Sequence, residues 1–210
     1  MLVFALAKAG SNNPLCAQTA HTAYITNQIG ESLSVINLVE EETQKTLSIS
    51  GKPAGVALSP LKDRVYVTTP EVSQLVVIDA KDLSILKRID VGKGPLGLAV
   101  HPKDGRIFVA DWYQHRLYII DPLSLVVSGF IEVGLSPSGV AVTPDGQKIL
   151  TADRDSDQIS VIDSSTLSVV GSVKTGGRPF GITIDAEGKK AYTANVKSDD
   201  ITVIDLVTLA

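Results

Sequence analysis

The apolar residues of this chain occur in short runs rather than in long amphipathic stretches. Runs rich in Val, Ile and Tyr alternate with segments rich in Gly, Pro, Asp and Ser. Such runs, separated by turn-forming residues, are typical of antiparallel strands joined by tight turns. No segment keeps the apolar period of a helix over a helical length. The pattern therefore predicts an all-β fold.

The predicted strands belong to a repeat of constant length. A motif close to Tyr-(Val/Ile)-Thr-Asn begins at residues 24, 66, 108, 150 and 192, a step of 42 residues each time. Triplets close to Val-Ile-Asp begin at residues 35, 77, 119, 161 and 203, and Pro-x-Gly triplets begin at residues 53, 95, 137 and 179. Units of about 40 residues with four strands are typical of propeller blades. We therefore predict a β-propeller of about five four-stranded antiparallel blades.

One complete unit shows the predicted order of strands. Its strands are predicted at residues 97–100, 106–110, 117–120 and about 125–133, with a turn at residues 101–105. The first strand of a blade lines a crowded central channel, which explains the glycine of each Pro-x-Gly triplet. The Asp that ends a third strand is predicted to cap the following turn through its side-chain oxygen.

These motifs, in this order, resemble the YVTN family of prokaryotic β-propeller repeats, and the resemblance covers residues 21–210. It implies a seven-bladed propeller outside the cytoplasm, in a periplasm or at a cell surface. The family also includes propellers associated with pyrroloquinoline-quinone-dependent catabolism, and most members have no assigned activity. The resemblance therefore implies architecture and location more than chemistry. Departures from the motif, which we interpret as drift, occur at Thr69, Asp111, Leu150, Asp153 and Ala194.

Residues 1–20 are interpreted apart from the repeat domain, which covers residues 21–210. Residues 2–7 are apolar, and Leu-Cys-Ala-Gln at residues 15–18 is similar to the end of a secretory signal. The segment is therefore either a truncated signal or an N-terminal strand.

The number of blades leaves two alternatives open. The chain is a fragment of a seven-bladed ring, or it is a closed five-bladed ring in which residues 2–6 supply the fourth strand of the last blade. If neither holds, unpaired strand edges in the end blades favour self-association.

Composition excludes several classes of partner. The formal net charge is −4, from 19 Lys and Arg against 23 Asp and Glu, and no basic run occurs, so we predict no nucleic-acid partner. No apolar stretch approaches the roughly 20 residues of a membrane-spanning helix. Cys16 is the only cysteine, which excludes an internal disulfide and a site with several thiolate ligands.

The sequence predicts no catalytic residue, no metal site and no cofactor. His21, His101 and His115 lack metal-ligand spacing, and neither a haem-attachment motif nor a G-x-S-x-G motif is present. Residues 153–157 begin like a calcium loop, but Gln158 and Ser164 replace its Gly and its bidentate Glu. We interpret His101 as a turn residue.

The candidate binding site lies on one face of the predicted propeller. A four-stranded meander places its second-to-third and fourth-to-first loops on the same face, which we call the variable-loop face. Its loops at residues 28–32, 70–73, 112–116, 154–157 and 196–199 differ between repeats, and such loops on a rigid scaffold usually carry binding. The candidate ligand-binding residues are Trp112, Tyr113, His115, Arg116, Lys52 and Arg178. The first four combine aromatic area with a cation in one loop, and the last two are expected to converge on an anion near the channel mouth.

The favoured function is that of a binding or scaffold protein outside the cytoplasm, with a small molecule or a protein held on the variable-loop face. The alternative is a propeller enzyme or an accessory subunit, either a lactonase-like hydrolase or a protein associated with a quinone-dependent dehydrogenase.

Overall fold

The computed structural model describes residues 4–7 and 22–209, which form five antiparallel sheets. Blade 1 consists of β1 (Phe4–Ala7), β2 (Thr22–Asn27), β3 (Ser32–Asn37) and β4 (Glu42–Ser48). Blade 2 consists of β5 (Val56–Leu58), β6 (Arg64–Thr69), β7 (Gln74–Asp79) and β8 (Ile85–Asp90). Blade 3 consists of β9 (Pro95–Val100), β10 (Ile107–Asp111), β11 (Arg116–Ile120) and β12 (Val127–Glu132). Blade 4 consists of β13 (Pro137–Val142), β14 (Lys148–Asp153), β15 (Gln158–Asp163) and β16 (Ser168–Lys174). Blade 5 contains β17 (Pro179–Ile184), β18 (Lys190–Asn195) and β19 (Asp200–Asp205).

The prediction of an all-β propeller with about five blades is confirmed. Strands that follow one another in the chain are neighbours in each sheet, as in a meander. Four blades have four strands, and blade 5 has three within the described part of the chain. Short 3-10 turns at Pro70–Val72 and Arg154–Ser156 form the second-to-third loops of blades 2 and 4.

Strand β1 belongs to the first blade and not to the last. It pairs with β2, with Phe4 opposite Ile25 and Ala7 opposite Thr22. The closed five-bladed alternative required residues 2–6 to form the fourth strand of the last blade. That assignment is wrong, because β1 is a strand of the first blade. The predicted signal end at residues 15–18, Cys16 and His21 lie outside the described residues, and the boundary at residue 20 stays a prediction.

The hydrophobic core lies between the blades and forms four separate clusters. Alternate residues of a strand point to opposite faces of its sheet, so an inner blade buries two apolar faces, one against each neighbour. Tyr66, Leu75 and Val77 of blade 2, for example, pack with Ile107 and Val109 of blade 3. Each blade is therefore stabilised mainly by the blades on either side, as in other repeat proteins.

Polar contacts also join successive blades in register. The cation that begins a second strand or directly precedes it donates to a carbonyl oxygen in the turn after the third strand of the next blade. The observed pairs are Arg64 Nη1 to Pro122 O at 3.0 Å, Arg106 Nη2 to Ser164 O at 3.1 Å, and Lys148 Nζ to Leu206 O at 2.5 Å. The spacing of 58 residues in all three pairs shows that the repeat period is kept in the contacts between blades.

Three of the four glycines of the Pro-x-Gly triplets, Gly55, Gly97 and Gly139, lie where the inner strands crowd together, as predicted, whereas a Cβ on Gly181 would meet no atom within 4 Å. A Cβ on Gly97 would lie 2.0 Å from the carbonyl oxygen of Ser138 in the next blade, and one on Gly55 would lie 2.5 Å from that of Leu96. The clash is with backbone, which cannot rotate away. These positions therefore require glycine for space rather than for backbone conformation.

The predicted Asp caps are confirmed. Asp79 Oδ1 accepts the amide N–H of Lys81 at 2.8 Å, and Asp163 Oδ1 accepts that of Ser165 at 2.8 Å. A hydrogen bond from the Ser165 hydroxyl is the main cause that holds the pKa of Asp163 at about 2, below its ordinary value, and the backbone amides add to it.

Among the described residues, none of the helices is long and apolar enough to cross a membrane.

Candidate functional site

Trp112 is the centre of a contact between three blades on the variable-loop face. The Trp112 ring lies in the loop between β10 and β11, and its centroid is 6.1 Å from that of Phe180, with a tilt of 55°. The Cζ atom of Arg154, in the equivalent loop of blade 4, lies 5.1 Å from the Trp112 ring centroid. Phe180 belongs to the inner strand of blade 5. An aromatic pair and a cation from three different repeats therefore meet at one place.

Charged groups complete this cluster. Arg154 Nη1 lies 2.8 Å from Asp155 Oδ1, and Arg178 Nε lies 4.0 Å from the same oxygen. A hydrogen bond from Ser136, together with the positive charges of Arg154 and Arg178, lowers the pKa of Asp155. We call Trp112, Arg154, Asp155, Arg178 and Phe180 the Trp112 cluster. With Asp155 ionised, two guanidinium groups face one carboxylate, so the cluster has an excess of one positive charge.

Hydrogen bonds from backbone amides hold two of the three loops of the cluster in place. The Trp112 amide donates to Gly94 O at 3.0 Å. Arg178 has a φ of 58°, in the left-handed region, and its amide donates to Asp157 Oδ1 at 2.7 Å. Such tethers reduce the conformational entropy lost when a ligand binds.

The other predicted residues of the Trp112 loop have separate positions. Tyr113 is 69% exposed, and its ring covers Gly94, where an added Cβ would lie 2.5 Å from Cδ2 of the tyrosine. His115 Nδ1 accepts the amide N–H of Ser136 at 3.0 Å, so this histidine ties the loop to blade 4. Arg116 lies along the outer strand of blade 3, with its Cζ 4.0 Å from the Phe130 ring centroid. Of the four candidate residues in this loop, Trp112 is the one that belongs to the Trp112 cluster.

Lys52 and Arg178 each contact an acidic residue of a nearby loop. Lys52 forms an ion pair with Glu71 of blade 2, which raises the pKa of the lysine, whereas Arg178 lies beside Asp155 of blade 4. Within the described residues, no ion pair or hydrogen bond links the two cations to a common group. Their convergence on one anion stays a prediction, and Arg178 is the one that lies in the Trp112 cluster.

Arg154, Asp155 and Phe180 are absent from the sequence-based set of candidates. The available signal was Phe180, because the middle residue of the other Pro-x-Gly triplets is aliphatic or small, at Ala54, Leu96 and Ser138. Arg154 and Asp155 lie in the stretch that resembles the start of a calcium loop. In the structure these acids diverge: Asp155 pairs with arginine, Asp157 caps the Arg178 amide and Asp153 is buried.

The opposite face contains a Ser-His-Asp arrangement that is structural. His101 Nε2 lies 3.5 Å from Ser164 Oγ, and His101 Nδ1 lies 3.1 Å from Asp104 Oδ1. However, Nδ1 accepts the amides of Lys103 and Asp104 at 3.3 and 3.2 Å, so Nε2 carries the proton and donates to Gly146 O at 2.8 Å. Ser164 Oγ donates to the same carbonyl. Because the histidine has no lone pair directed at the serine, this geometry lacks the general base of a triad, and His101 is a turn residue as predicted.

A cavity of about 530 Å³ lies between the turns of blades 2 and 3 on that opposite face. Its lining includes Arg64 and Arg106, whose guanidinium groups already donate to carbonyl oxygens of the next blade. The cavity walls are therefore part of the contact between blades.

In the described part of the chain, no cluster of three or more His, Cys, Asp or Glu residues could hold a metal ion.

Comparisons with known proteins agree with the fold. Residues 117–208, less than half of the chain, match the model of the family described as "Lactonase, 7-bladed beta-propeller". No curated protein matches the chain. The hydrazine synthase of Kuenenia stuttgartiensis superposes with a TM-score of 0.56 over 97% of this chain and 94% of that chain, at 15% identity. At that identity the likeness shows the fold alone.

Proposed function

We propose that this chain is an extracytoplasmic ligand-binding propeller whose Trp112 cluster binds a small organic anion. The observation that supports it is the packing of Trp112 against Arg154 and Phe180, side chains that come from three blades. A site formed between repeats on loops held by a rigid scaffold is the usual location of a binding site in such folds.

The charge of the cluster favours an anion. Arg178 is 49% exposed and lies 4.0 Å from Asp155, so its guanidinium keeps donors available to a ligand. Arginine binds carboxylates through two parallel hydrogen bonds, and the aromatic rings of Trp112 and Phe180 offer area to an apolar ligand body. A carboxylate attached to an apolar group is the ligand chemistry that matches both features.

A lactonase-like hydrolase is the second candidate, because residues 117–208 match a lactonase family model. Such an enzyme needs a general base or a bound metal at the reacting carbonyl. Asp155 is the carboxylate of the cluster, and the hydrogen bond from Ser136, followed by the charges of Arg154 and Arg178, lowers its pKa. A carboxylate with a lowered pKa is a weak base at neutral pH, which favours binding over hydrolysis.

The only tryptophan of the chain is Trp112, so its fluorescence reports directly on the proposed site. We expect benzoate and longer aryl carboxylates, titrated at low salt, to change the emission in a saturable way. Arg154→Met and Arg178→Met should each weaken binding at least tenfold, because each removes a charge that the anion contacts, about 1.4 kcal/mol. Arg88→Met removes an equal charge from the exposed outer strand β8 and should leave binding unchanged. Equal loss in all three variants would indicate a general charge effect and contradict the proposal.

Hydrolysis is tested with the same proteins. Proton release from δ-valerolactone, followed in a pH-stat, should stay at the rate of the buffer alone for the chain and for Arg154→Met. If the original chain releases protons faster than the buffer and Arg154→Met does not, the function of the cluster is hydrolysis rather than binding alone.

We also propose a location outside the cytoplasm, on the basis of the YVTN-like repeats and the signal-like residues 15–18. Expression of the chain with its native N-terminus in a Gram-negative host, followed by osmotic shock, tests this. Recovery only in the cytoplasmic fraction would contradict the location. Retention of residues 1–20 would fit β1 (Phe4–Ala7) as a strand of blade 1, and their removal would fit the signal.

A further inference from the structure

The cavity between the turns of blades 2 and 3 lies inside the array of blades. Blade 1 packs on blade 2 and blade 4 packs on blade 3, so further blades at either end of the array would leave the cavity unchanged. Its volume of about 530 Å³ lies within the range of about 300–1,000 Å³ that is usual for small-molecule sites. The cavity is on the face opposite the Trp112 cluster, so the two sites are separate.

A small residue in blade 2 keeps this cavity open. In the equivalent gap between blades 3 and 4, the buried ring of His101 reaches Gly146 O of blade 4, with Nε2 at 2.8 Å from that oxygen. The residue 42 positions before His101 is Ser59, whose hydroxyl stays within its own turn and donates to Asp63 Oδ1 at 2.6 Å. The volume that an imidazole fills in one gap is therefore open to a ligand in the other.

The lining combines apolar side chains with charges that balance. Leu61 and Leu123, which are 85% and 89% exposed, lie at the open side of the cavity, and Pro60 and Pro122 belong to the same lining. Three carboxylates and three cations complete it: Asp63, Asp104, Asp121, Arg64, Lys103 and Arg106. Because these six charges sum to zero, the lining offers no net attraction to an ion. The ligand that matches it is neutral.

The two arginines of the lining are already paired. Arg106 Nη2 lies 2.8 Å from Asp104 Oδ2, and Arg64 Nη1 donates to Pro122 O at 3.0 Å. These contacts hold the walls in place, which reduces the conformational entropy lost when a ligand binds.

Tyr66 supplies a hydrogen-bond donor to the cavity. It lines the cavity and is 2% exposed, and burial raises the pKa of its hydroxyl, which lies beside the Arg64 guanidinium. Arginine donates hydrogen bonds and accepts none, so Arg64 leaves the hydrogen of this hydroxyl without an acceptor. Tyr118 donates to Gln114 Oε1 at 2.9 Å, whereas the described residues show no such acceptor for Tyr66. A ligand oxygen in the cavity would supply one.

We propose that this cavity is a second binding site, which takes a neutral, largely apolar molecule that carries a carbonyl oxygen. The apolar body of the ligand would lie against Leu61, Leu123 and the two prolines, and the Tyr66 hydroxyl would donate to the carbonyl oxygen. The site is independent of the proposed function of the Trp112 cluster, because it lies on the other face and selects a ligand without charge.

Titration with acetophenone, followed by NMR, tests the site. The amide signals of Gly105 and Leu123, both in the lining, should move in a saturable way, whereas the indole N–H signal of Trp112 should stay in place. Benzoate and benzylamine carry a similar ring and a charge. Each should bind the cavity at least about tenfold more weakly, because no net charge of the lining offsets the desolvation of an ion.

Tyr66→Phe removes the hydroxyl alone, and the repeat accommodates this residue, since Phe108 is 0% exposed at the same position of blade 3. The variant should bind acetophenone about fivefold more weakly, as expected for the loss of one hydrogen bond, and should bind ethylbenzene, which has no acceptor, as the original chain does. Tyr24→Phe is the matched control. It removes a buried hydroxyl at the same position of blade 1 and should change the binding of neither ligand.

Gly105 and Leu123 signals that stay in place up to the solubility limit of acetophenone overturn the proposal. Benzoate that binds the cavity as tightly as acetophenone also overturns it, because the lining would then select a charge. Equal affinities of Tyr66→Phe and Tyr24→Phe for acetophenone would contradict the hydrogen bond from Tyr66, and with it the assignment of a carbonyl ligand.

Discussion

Where the fourth residue of the Tyr-Val-Thr-Asn motif is aspartate, it ties the second strand to a loop on the variable-loop face. Asp111 Oδ2 accepts the Lys93 amide at 2.6 Å, and Asp153 Oδ2 accepts the Gly134 amide at 3.1 Å. Asn27 instead donates through Nδ2 to Ser34 Oγ at 2.8 Å. The change from Asn to Asp at this position, which the sequence analysis interprets as drift, therefore changes the hydrogen-bond pattern. The spacing of the motifs alone could not show this.

Asp153→Asn should stabilise the protein at neutral pH. Asp153 is 0% exposed, and desolvation by burial raises its pKa despite hydrogen bonds from Ser160 and Thr151. The raised pKa means that ionisation costs the folded state more than the unfolded state, so stability falls as the pH rises from about 4 through the folded pKa. Asparagine can donate to Ser160 as Asn195 does to the equivalent Thr202 at 2.8 Å. Thermal melts from pH 4 to pH 8 should show the advantage of the variant growing with pH.

Asp111→Asn is the contrasting substitution at the equivalent position of blade 3. Asp111 accepts three backbone amides, those of Lys93, Tyr113 and Gln114, at 2.6, 2.9 and 3.1 Å. An amide side chain has one acceptor oxygen, so at least one of these half-buried N–H groups loses its partner, at a cost of about 1–3 kcal/mol. Urea unfolding at pH 7 measures this loss. A variant as stable as the original chain would show that these hydrogen bonds contribute little.

The elements of a blade follow the sequence pattern closely, and the exceptions have local causes. The strand predicted at residues 97–100 is β9 (Pro95–Val100), and that predicted at residues 117–120 is β11 (Arg116–Ile120). The fourth strand begins at Val127 rather than near residue 125. Leu125 has a φ of 54° and donates its amide to Asp121 O at 3.0 Å, so it belongs to the turn. Periodicity predicts where strands lie, whereas turn hydrogen bonds decide where they begin.

Gly97→Val should destabilise the protein, whereas Gly181→Val should not. A Cβ at residue 97 would meet the Ser138 carbonyl oxygen at 2.0 Å, but one at residue 181 would meet no atom within 4 Å. Overpacking in a close contact costs about 1–3 kcal/mol, and surface changes usually stay within about 0.5 kcal/mol. Both glycines occupy the same position of the repeat, so β-propensity is matched. Equal unfolding free energies for the two variants would contradict the crowding of inner strands.

The period also predicts much of the whole molecule, because contacts between blades repeat with the sequence. The clusters between blades and the cation-to-carbonyl bonds keep the 42-residue register from blade to blade. The Trp112 cluster could not be predicted in the same way. Trp112 and Arg154 occupy the same position of the repeat in blades 3 and 4, but Arg178 and Phe180 come from other positions. Their meeting therefore depends on the rotation between blades, which no local pattern encodes.

Blades should differ in local stability, because blade 5 is packed on one face and blade 3 on two. Ile204 of blade 5 and Ile120 of blade 3 are both 0% exposed, and replacing a buried isoleucine by alanine costs about 2–5 kcal/mol. In a repeat protein this loss stays with the blades that share the contact. Ile204→Ala should therefore speed hydrogen exchange mainly in β17–β19, whose one cluster, shared with blade 4, contains Ile204. Ile120→Ala should speed exchange in blades 2 and 3, which share its cluster, and mass spectrometry of peptides resolves the two patterns. Uniform acceleration by Ile204→Ala would mean that the five blades unfold as one unit, and the exposed side of blade 5 would then have no separate energetic consequence.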